Sequence, residues 1–301
     1  MIVLPVQGDE LMDVQGLAEQ PSTHAGPDLQ PDGLEEEALE LRRDIVHVLH
    51  HTGGGHYGGC LSVIDLLLVL YRKVLRVDPR RPQDPMRDRL VLSKGHAALA
   101  LYAVLRRVGY FSDELTTYAD MDSRLEGHPD MLALPGIDFS TGSLGQGLSV
   151  GVGMAHALRR SGQQVWVVLG DGECQEGQVW EAAMLASVCG LKNLHVVLDH
   201  NRCQEWGWNP VAAGTTPPPI QQVAEKWAAF GWRVWECDGH DLGALQQTFS
   251  AAMQDEVERP SIIIAHTVKG RGVSICEADP KRFHCDAATP LEHLQMVGDL
   301  A

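Results

Sequence analysis

Asp171 and Asn201 are the residues whose types and spacing point most directly to chemistry. Asp171 offers a hard carboxylate oxygen and Asn201 a neutral amide oxygen. With one backbone carbonyl from the loop after Asn201 they make half an octahedron and leave the other half to water and phosphate oxygens. Mg2+ is usually bound in this way, and Ca2+ and Mn2+ accept the same hard oxygen set. Gly172 lets the backbone come close to a phosphate, and helix N-termini at such an edge favour an anion. The plainer alternative is a tight Gly-Asp-Gly turn between strand and helix, with Asn201 capping a second turn.

The elements around these residues decide between the two. Residues 165–169 (VWVVL) read as a buried parallel strand that ends at Gly170. Val179, Trp180, Ala183, Met184 and Val188 then fall on one face of a helix, which Gly190 stops. A second apolar strand, residues 194–198, delivers Asp199, His200 and Asn201. Strand, helix and strand form one βαβ unit, whose right-handed crossover sets Asp171 and Asn201 at the same carboxyl edge of a sheet.

This stretch resembles a known family. GDG followed roughly thirty residues later by Asn is similar to the thiamine diphosphate motif. The wording GDGECQEGQVWEAAM resembles transketolase in particular. The resemblance implies that Asp171, Asn201 and the carbonyl of Cys203 hold the metal, and that Gly170, Gly172 and Glu173 meet the cofactor.

Other segments carry the same likeness. TGGGHYGGCLSVIDLLLVLY, from Thr52, resembles the opening of bacterial transketolase and above all of its separately encoded N-terminal subunit. By that resemblance His56 faces the substrate. Read alone, the same stretch is a flexible glycine loop, and Ser62 caps a helix through Val63, Leu66, Leu67 and Leu70. Residues 89–92 (RLVL) read as a strand, followed by SKGHA. A histidine at a strand's carboxyl end can donate to a diphosphate oxygen, so His96 is assigned to cofactor phosphate or substrate. Residues 121–147 have little regular pattern, and long loops in compact domains tend to be functional. They contain Glu126-Gly127-His128-Pro129, similar to the transketolase stretch whose histidine contacts sugar hydroxyls. They also contain TGSLGQG, and the resemblance implies that the backbone of Gly142, Ser143 and Leu144 meets the pyrimidine and diphosphate.

Further along, Val223, Trp227 and Phe230 share a helix, 232–235 is a strand, 241–255 is helical with Asp241 as N-cap, and 261–265 is a strand. TVKGRG (267–272) resembles a family loop, and His284 falls where a later family histidine reaches the cofactor, although its flanking residues differ. Glu205-Trp206-Gly207 departs from the family's aliphatic residue and Asp-Gly, which sets the usual substrate preference in question. Five strands alternating with helices give an α/β fold, a doubly wound, mainly parallel sheet flanked by helices.

Composition sets the outer limits. The chain has 301 residues and a net charge of −16, which argues against nucleic acid as a partner because phosphate backbones need Lys and Arg. No apolar run approaches a membrane span, and neither that nor a secretory leader is expected. Residues 1–33 read as a loosely docked or disordered extension, and 34–301 as the diphosphate-binding domain. The seven cysteines include no CxxC pair and read as scattered cytosolic thiols, which points to a cytoplasmic protein. His47 and His51 are four apart on a helix, but no third ligand accompanies them in sequence.

Full-length transketolase adds pyrimidine-binding and C-terminal domains, to which nothing in this sequence corresponds. In the family a Glu of the pyrimidine domain activates the cofactor. The resemblance therefore implies a separate C-terminal transketolase-like subunit that supplies this Glu, an α2β2 assembly, and no turnover by this chain alone. The implied reaction moves a two-carbon ketol unit from a ketose-like donor to an aldehyde acceptor. His56, His96 and His128 orient hydroxyls and shuttle protons, a role suited to side chains titrating near neutrality. Two other readings stay open: a thiamine diphosphate enzyme acting on a 2-oxo acid, and a divergent, non-catalytic subunit.

Overall fold

Residues 31–204 and 221–301 are described by the computed structural model. The chain enters through α1 (Pro31–His51) and α2 (Tyr57–Val69), the latter extended by one wider π turn at Leu70–Val74. Strand β1 (Arg89–Leu92) leads into α3 (Ala98–Val108), and the long loop before α4 (Gln146–Leu158) follows. Next come β2 (Val165–Gly170), α5 (Gly177–Val188) and β3 (Leu194–His200). The remainder is α6 (Val223–Ala229), β4 (Arg233–Asp238), α7 (Leu242–Gln254), β5 (Ser261–His266), α8 (Ser274–Ala278) and α9 (Pro290–Asp299).

The five strands pair in the order β1-β2-β3-β5-β4, every pair parallel. Alternation along β2 divides the core. Trp166 and Val168 pack with α1, α2, α3 and α7, whereas Val165, Val167 and Leu169 pack with α4, α5 and α6. Helices on both faces bury β2 and β3 completely, which is why those strands read as unbroken apolar runs. Edge strand β4 is only half covered. The doubly wound expectation holds, and the carboxyl ends of β1, β2, β3 and β5 open on one side of the sheet.

Three local readings need correction. Helix α2 starts at Tyr57, so Ser62 lies inside it and does not cap it. Its hydroxyl donates to the Gly59 carbonyl at 3.2 Å and to Asp199 Oδ2 at 2.6 Å. The glycine-rich stretch is therefore not one flexible loop. Gly53, Gly54 and Gly55 make the turn with positive φ, while Gly58 and Gly59 are helical. A Cβ on Gly58 would meet Lys269 Cγ at 2.8 Å, and one on Gly59 would meet His96 Nε2 at 3.0 Å, so these two glycines serve close packing. Helix α1, expected from about Leu34, begins at Pro31. Finally, α8 and α9 lie beyond the last element the sequence reading identified. Helix α9 carries a full capping box, with Thr289 and Glu292 bonded reciprocally and Pro290 in its first turn.

All seven cysteines are free thiols. Among the described residues no helix is long and apolar enough to cross a membrane. The extension assigned to residues 1–33 lies almost wholly outside the described residues.

Candidate functional site

Four strand ends feed one cavity of about 490 Å3. β1 delivers Lys94 and His96, β2 delivers Asp171, Gly172 and Glu173, β3 delivers Asn201 and Cys203, and the segment after β5 delivers Lys269. The rest of the wall comes from His56 at the start of α2, from His128, Gly142 and Leu144 in the long loop, and from His284. The structure thus brings every predicted site residue to one place except Ser143, which is not part of the wall. Glu205-Trp206 lies outside the described residues.

The metal candidates sit at the ends of β2 and β3. Asp171 is buried, and its carboxylate accepts from Gly172 N at 2.8 Å and from Arg202 N at 2.6 Å. No cationic side chain bonds it. Burial, with Asp199 nearby, pushes its carboxyl up to about 6. Asn201 Oδ1 accepts from Cys203 N at 3.0 Å, and the Cys203 carbonyl accepts from Lys269 Nζ at 3.2 Å. Among the described residues no group of three or more His, Cys, Asp or Glu side chains forms a metal cluster. One carboxylate, one amide oxygen and one carbonyl are instead a hard, mostly neutral set. Such a set, with a buried anion lacking a counter-charge, fits a divalent cation that keeps water or phosphate ligands.

A second carboxylate lies directly behind. Asp199 is fully buried, accepts from Ser62, Thr267 and Lys94, and forms an ion pair with Lys94. Burial alone would raise its carboxyl, but the Lys94 charge and these hydrogen bonds together hold it below the usual range. Lys94 also donates to the Gly59 carbonyl at 3.2 Å, so the cavity floor is cross-linked from α2 through β1 to β3.

Glu173 is held differently from what the sequence implied. Its buried carboxylate accepts from Ser93, from Gly145 N at 2.8 Å and from Gly170 N at 3.2 Å. It ties the ends of β1 and β2 to the loop entering α4. Gly145 itself is left-handed, with φ of 84°, and a Cβ there would press on the Glu176 side chain at 2.8 Å.

The histidines form a compact group. Ring centroids of His56 and His96 are 5.1 Å apart, His56 and His284 5.2 Å, and His96 and His284 5.4 Å. His56 Nδ1 is 2.7 Å from the His284 carbonyl, which makes Nδ1–H the donor and leaves Nε2 as an acceptor. Burial lowers His56; burial and the Lys94 charge hold His96 well below the ordinary value; burial and Lys269 pull His284 down to about 3. The expected titration near neutrality therefore does not describe His56 and His96 in this cavity. They are neutral imidazoles until an anion enters and raises them.

Lys94 and Lys269 are functional candidates that the sequence reading passed over, although both stand inside motifs it singled out, SKGHA and TVKGRG. Lys269 donates to His284 Nδ1 at 3.0 Å, and burial brings its ammonium down to about 8. Two lysines facing a cavity in a chain of net charge −16 suit an anionic guest. Gln175, Glu176 and Gln204 also line the rim.

Comparison with known proteins agrees with this geometry. Residues 36–289 match the family described as transketolase, thiamine diphosphate binding domain. One of the two polypeptides of an apulose-4-phosphate transketolase from Phocaeicola vulgatus is 38% identical over 261 residues, covering 85% of this chain and 90% of the relative. A 6-deoxy-6-sulfo-D-fructose transketolase subunit from Clostridium sp. is 40% identical over 247 residues, covering 81% and 88%. The crystal structure of Campylobacter jejuni transketolase superposes with a TM-score of 0.81 at 28% identity, over 90% of this chain and 43% of that one. The chain belongs to the transketolase family and matches, over nearly their whole length, its separately encoded thiamine diphosphate-binding subunits.

Proposed function

We propose that the chain is the N-terminal half of a two-polypeptide transketolase. It holds thiamine diphosphate and a divalent cation, while a second, C-terminal transketolase-like subunit completes the site in an α2β2 assembly. The observation that carries the reading is Asp171, a buried carboxylate with two backbone donors, no cationic side chain bonded to it, and the oxygens of Asn201 and Cys203 beside it. When bound, the cofactor supplies the electron sink for cleaving and forming the C–C bond.

The remaining steps belong to this chain's own residues. Asp171, Asn201 and the Cys203 carbonyl hold the cation, Mg2+ being the best match to one charge and three oxygens. Gly172, Lys94 and Lys269 receive diphosphate charge. The 142–145 backbone, anchored by Glu173, shapes the wall against which the cofactor lies. His56, His96, His128 and His284 present neutral donors and acceptors to the hydroxyls of a ketose donor and hold the proton that its carbonyl and hydroxyl exchange. A cavity with four histidines favours a polyhydroxylated donor over a 2-oxo acid. The relatives are named for a phosphorylated and a sulfonated sugar, which supports an anionic ketose as donor and an aldehyde as acceptor.

The test is turnover of ketose phosphates and sulfosugars with thiamine diphosphate and Mg2+. The expected result is none with the purified chain and robust ketol transfer once the co-purifying partner is added. Turnover by the chain alone would sink the two-polypeptide reading, and turnover of 2-oxo acids only would replace the donor class.

A further inference from the structure

The carboxyl edge of the sheet carries a second cavity, of about 380 Å3, at the ends of β4 and β5. Arg202, Arg271, His240 and His266 line it, and Asp238 is its one acidic wall residue. Both arginines are exposed, and the Arg271 guanidinium makes no hydrogen bond or ion pair with the described residues. Arg202 Nη2 lies 3.3 Å from His266 Nδ1, and His266 Nε2 lies 2.8 Å from Glu236. His240 is fixed on both ring nitrogens, by Asp65 Oδ2 at 2.7 Å and by Val268 N at 2.8 Å, so its ring is a rigid wall. Two guanidiniums beside an open cavity are uncommon in so acidic a chain, and guanidinium forks match planar and tetrahedral oxyanions.

Arg202 also belongs to the first cavity's frame. It is one of three non-glycine residues among those described with positive φ, at 61°. That strained turn is what gives its N–H to Asp171 while the side chain lines the other cavity. The segment after β5 is shared in the same way. Thr267 and Val268 line the second cavity, Lys269 lines the first, and Thr267 donates to Asp199.

We propose that this second cavity binds a small oxyanion, phosphate- or carboxylate-bearing, between Arg202 and Arg271, and that its occupancy is coupled to the cofactor cradle through the Arg202 backbone and the 267–269 segment. The binding half stands on this cavity alone; the coupling half rests on the cofactor reading above. Coupling between two sites is reciprocal, so each ligand must change the affinity of the other by the same factor.

The experiment titrates inorganic phosphate, and separately succinate, into the full chain at constant ionic strength. It is run with and without saturating thiamine diphosphate and Mg2+, which fill the first cavity, and binding is followed by calorimetry. Saturable binding that survives cofactor loading and weakens about tenfold or more in Arg271→Ala supports the site, the size expected for losing one charged hydrogen-bonding group. The stronger of the two anions identifies the ligand class. Arg271→Lys should restore part of the affinity, which separates loss of the charge from loss of the fold. No saturable binding, or binding equal in wild type and Arg271→Ala, overturns the site. For the coupling, phosphate should shift the Mg2+-thiamine diphosphate affinity by about fivefold or more in wild type and leave it unmoved in Arg271→Ala. Equal affinities in wild type with and without phosphate overturn the coupling. Failure of the cofactor to bind at all counts against the cofactor reading, while the phosphate titration of the unloaded chain and its Arg271→Ala comparison still decide the site.

Discussion

The ends of β2 and β3 lie side by side, and each presents a buried aspartate, yet the two are wired oppositely. Asp199 has a lysine, two hydroxyls and no access to the cavity's contents, as its complete burial dictates. Asp171 has two backbone amides and no positive side chain bonded to it. One carboxylate is neutralised by the fold, and the other is left for something the fold does not supply. The contrast separates structural charge from functional charge without reference to any relative.

The largest effect expected from breaking this contrast is on stability. Asp199→Ala strands a buried ammonium at Lys94 and should destabilise the chain by about 3–5 kcal/mol, read by denaturant melts. Asp171→Ala should do the reverse. Because Asp171 lacks a partner, its removal should leave stability unchanged or improved while cation affinity falls about 100-fold or more, read by calorimetry. Matching behaviour of the two variants would dissolve the distinction.

A pH series sharpens the comparison further. The Asp171 carboxyl is raised from 3.8 to about 6, so the folded state favours its protonated form. In chelator its stability contribution is complete below the unfolded value of 3.8 and is lost as pH rises through about 6. Asp199 is held below 3.8 and acts in the other direction, its contribution being lost only as pH falls beneath that value. Melting curves over roughly pH 4 to 7 should therefore decline with pH in chelator, recover with Mg2+, and flatten in Asp171→Asn. A slope unchanged by Asp171→Asn would count against the assignment.

The smallest effect concerns Glu173. Glu173→Gln keeps the shape but weakens the bonds to Ser93, Gly145 and Gly170. A loss of about 1–2 kcal/mol in cofactor affinity, with kcat largely retained, is expected of a residue that positions the 142–145 wall. A kcat loss without a change in cofactor affinity would assign it to the chemistry instead.

Much of this arrangement was legible in the sequence. The five strands stood out because a parallel sheet covered on both faces demands unbroken apolar runs, and the GDG-to-Asn spacing placed Asp171 and Asn201 on one edge. What escaped has physical reasons. Gly58 and Gly59 look like loop residues but are helical, selected for the close approach of Lys269 and His96. Ser62 resembles a cap, yet its hydroxyl serves Asp199 across the core, a contact between residues 137 positions apart that no local pattern reveals. Glu173 was grouped with the cofactor ligands by its position after GDG, whereas its carboxylate is spent on three protein donors. Helix α9 could have been found, because Thr289-Pro290-Leu291-Glu292 spells its cap.

The most direct test of the central claim is a calorimetric titration of thiamine diphosphate into the chain recovered with its partner polypeptide, in Mg2+ and in chelator, for wild type and Asp171→Ala. The account predicts saturable binding of one cofactor per copy of this chain that requires the cation and disappears in the variant while its melting temperature holds. Binding that is indifferent to chelator, or that survives Asp171→Ala, would contradict it.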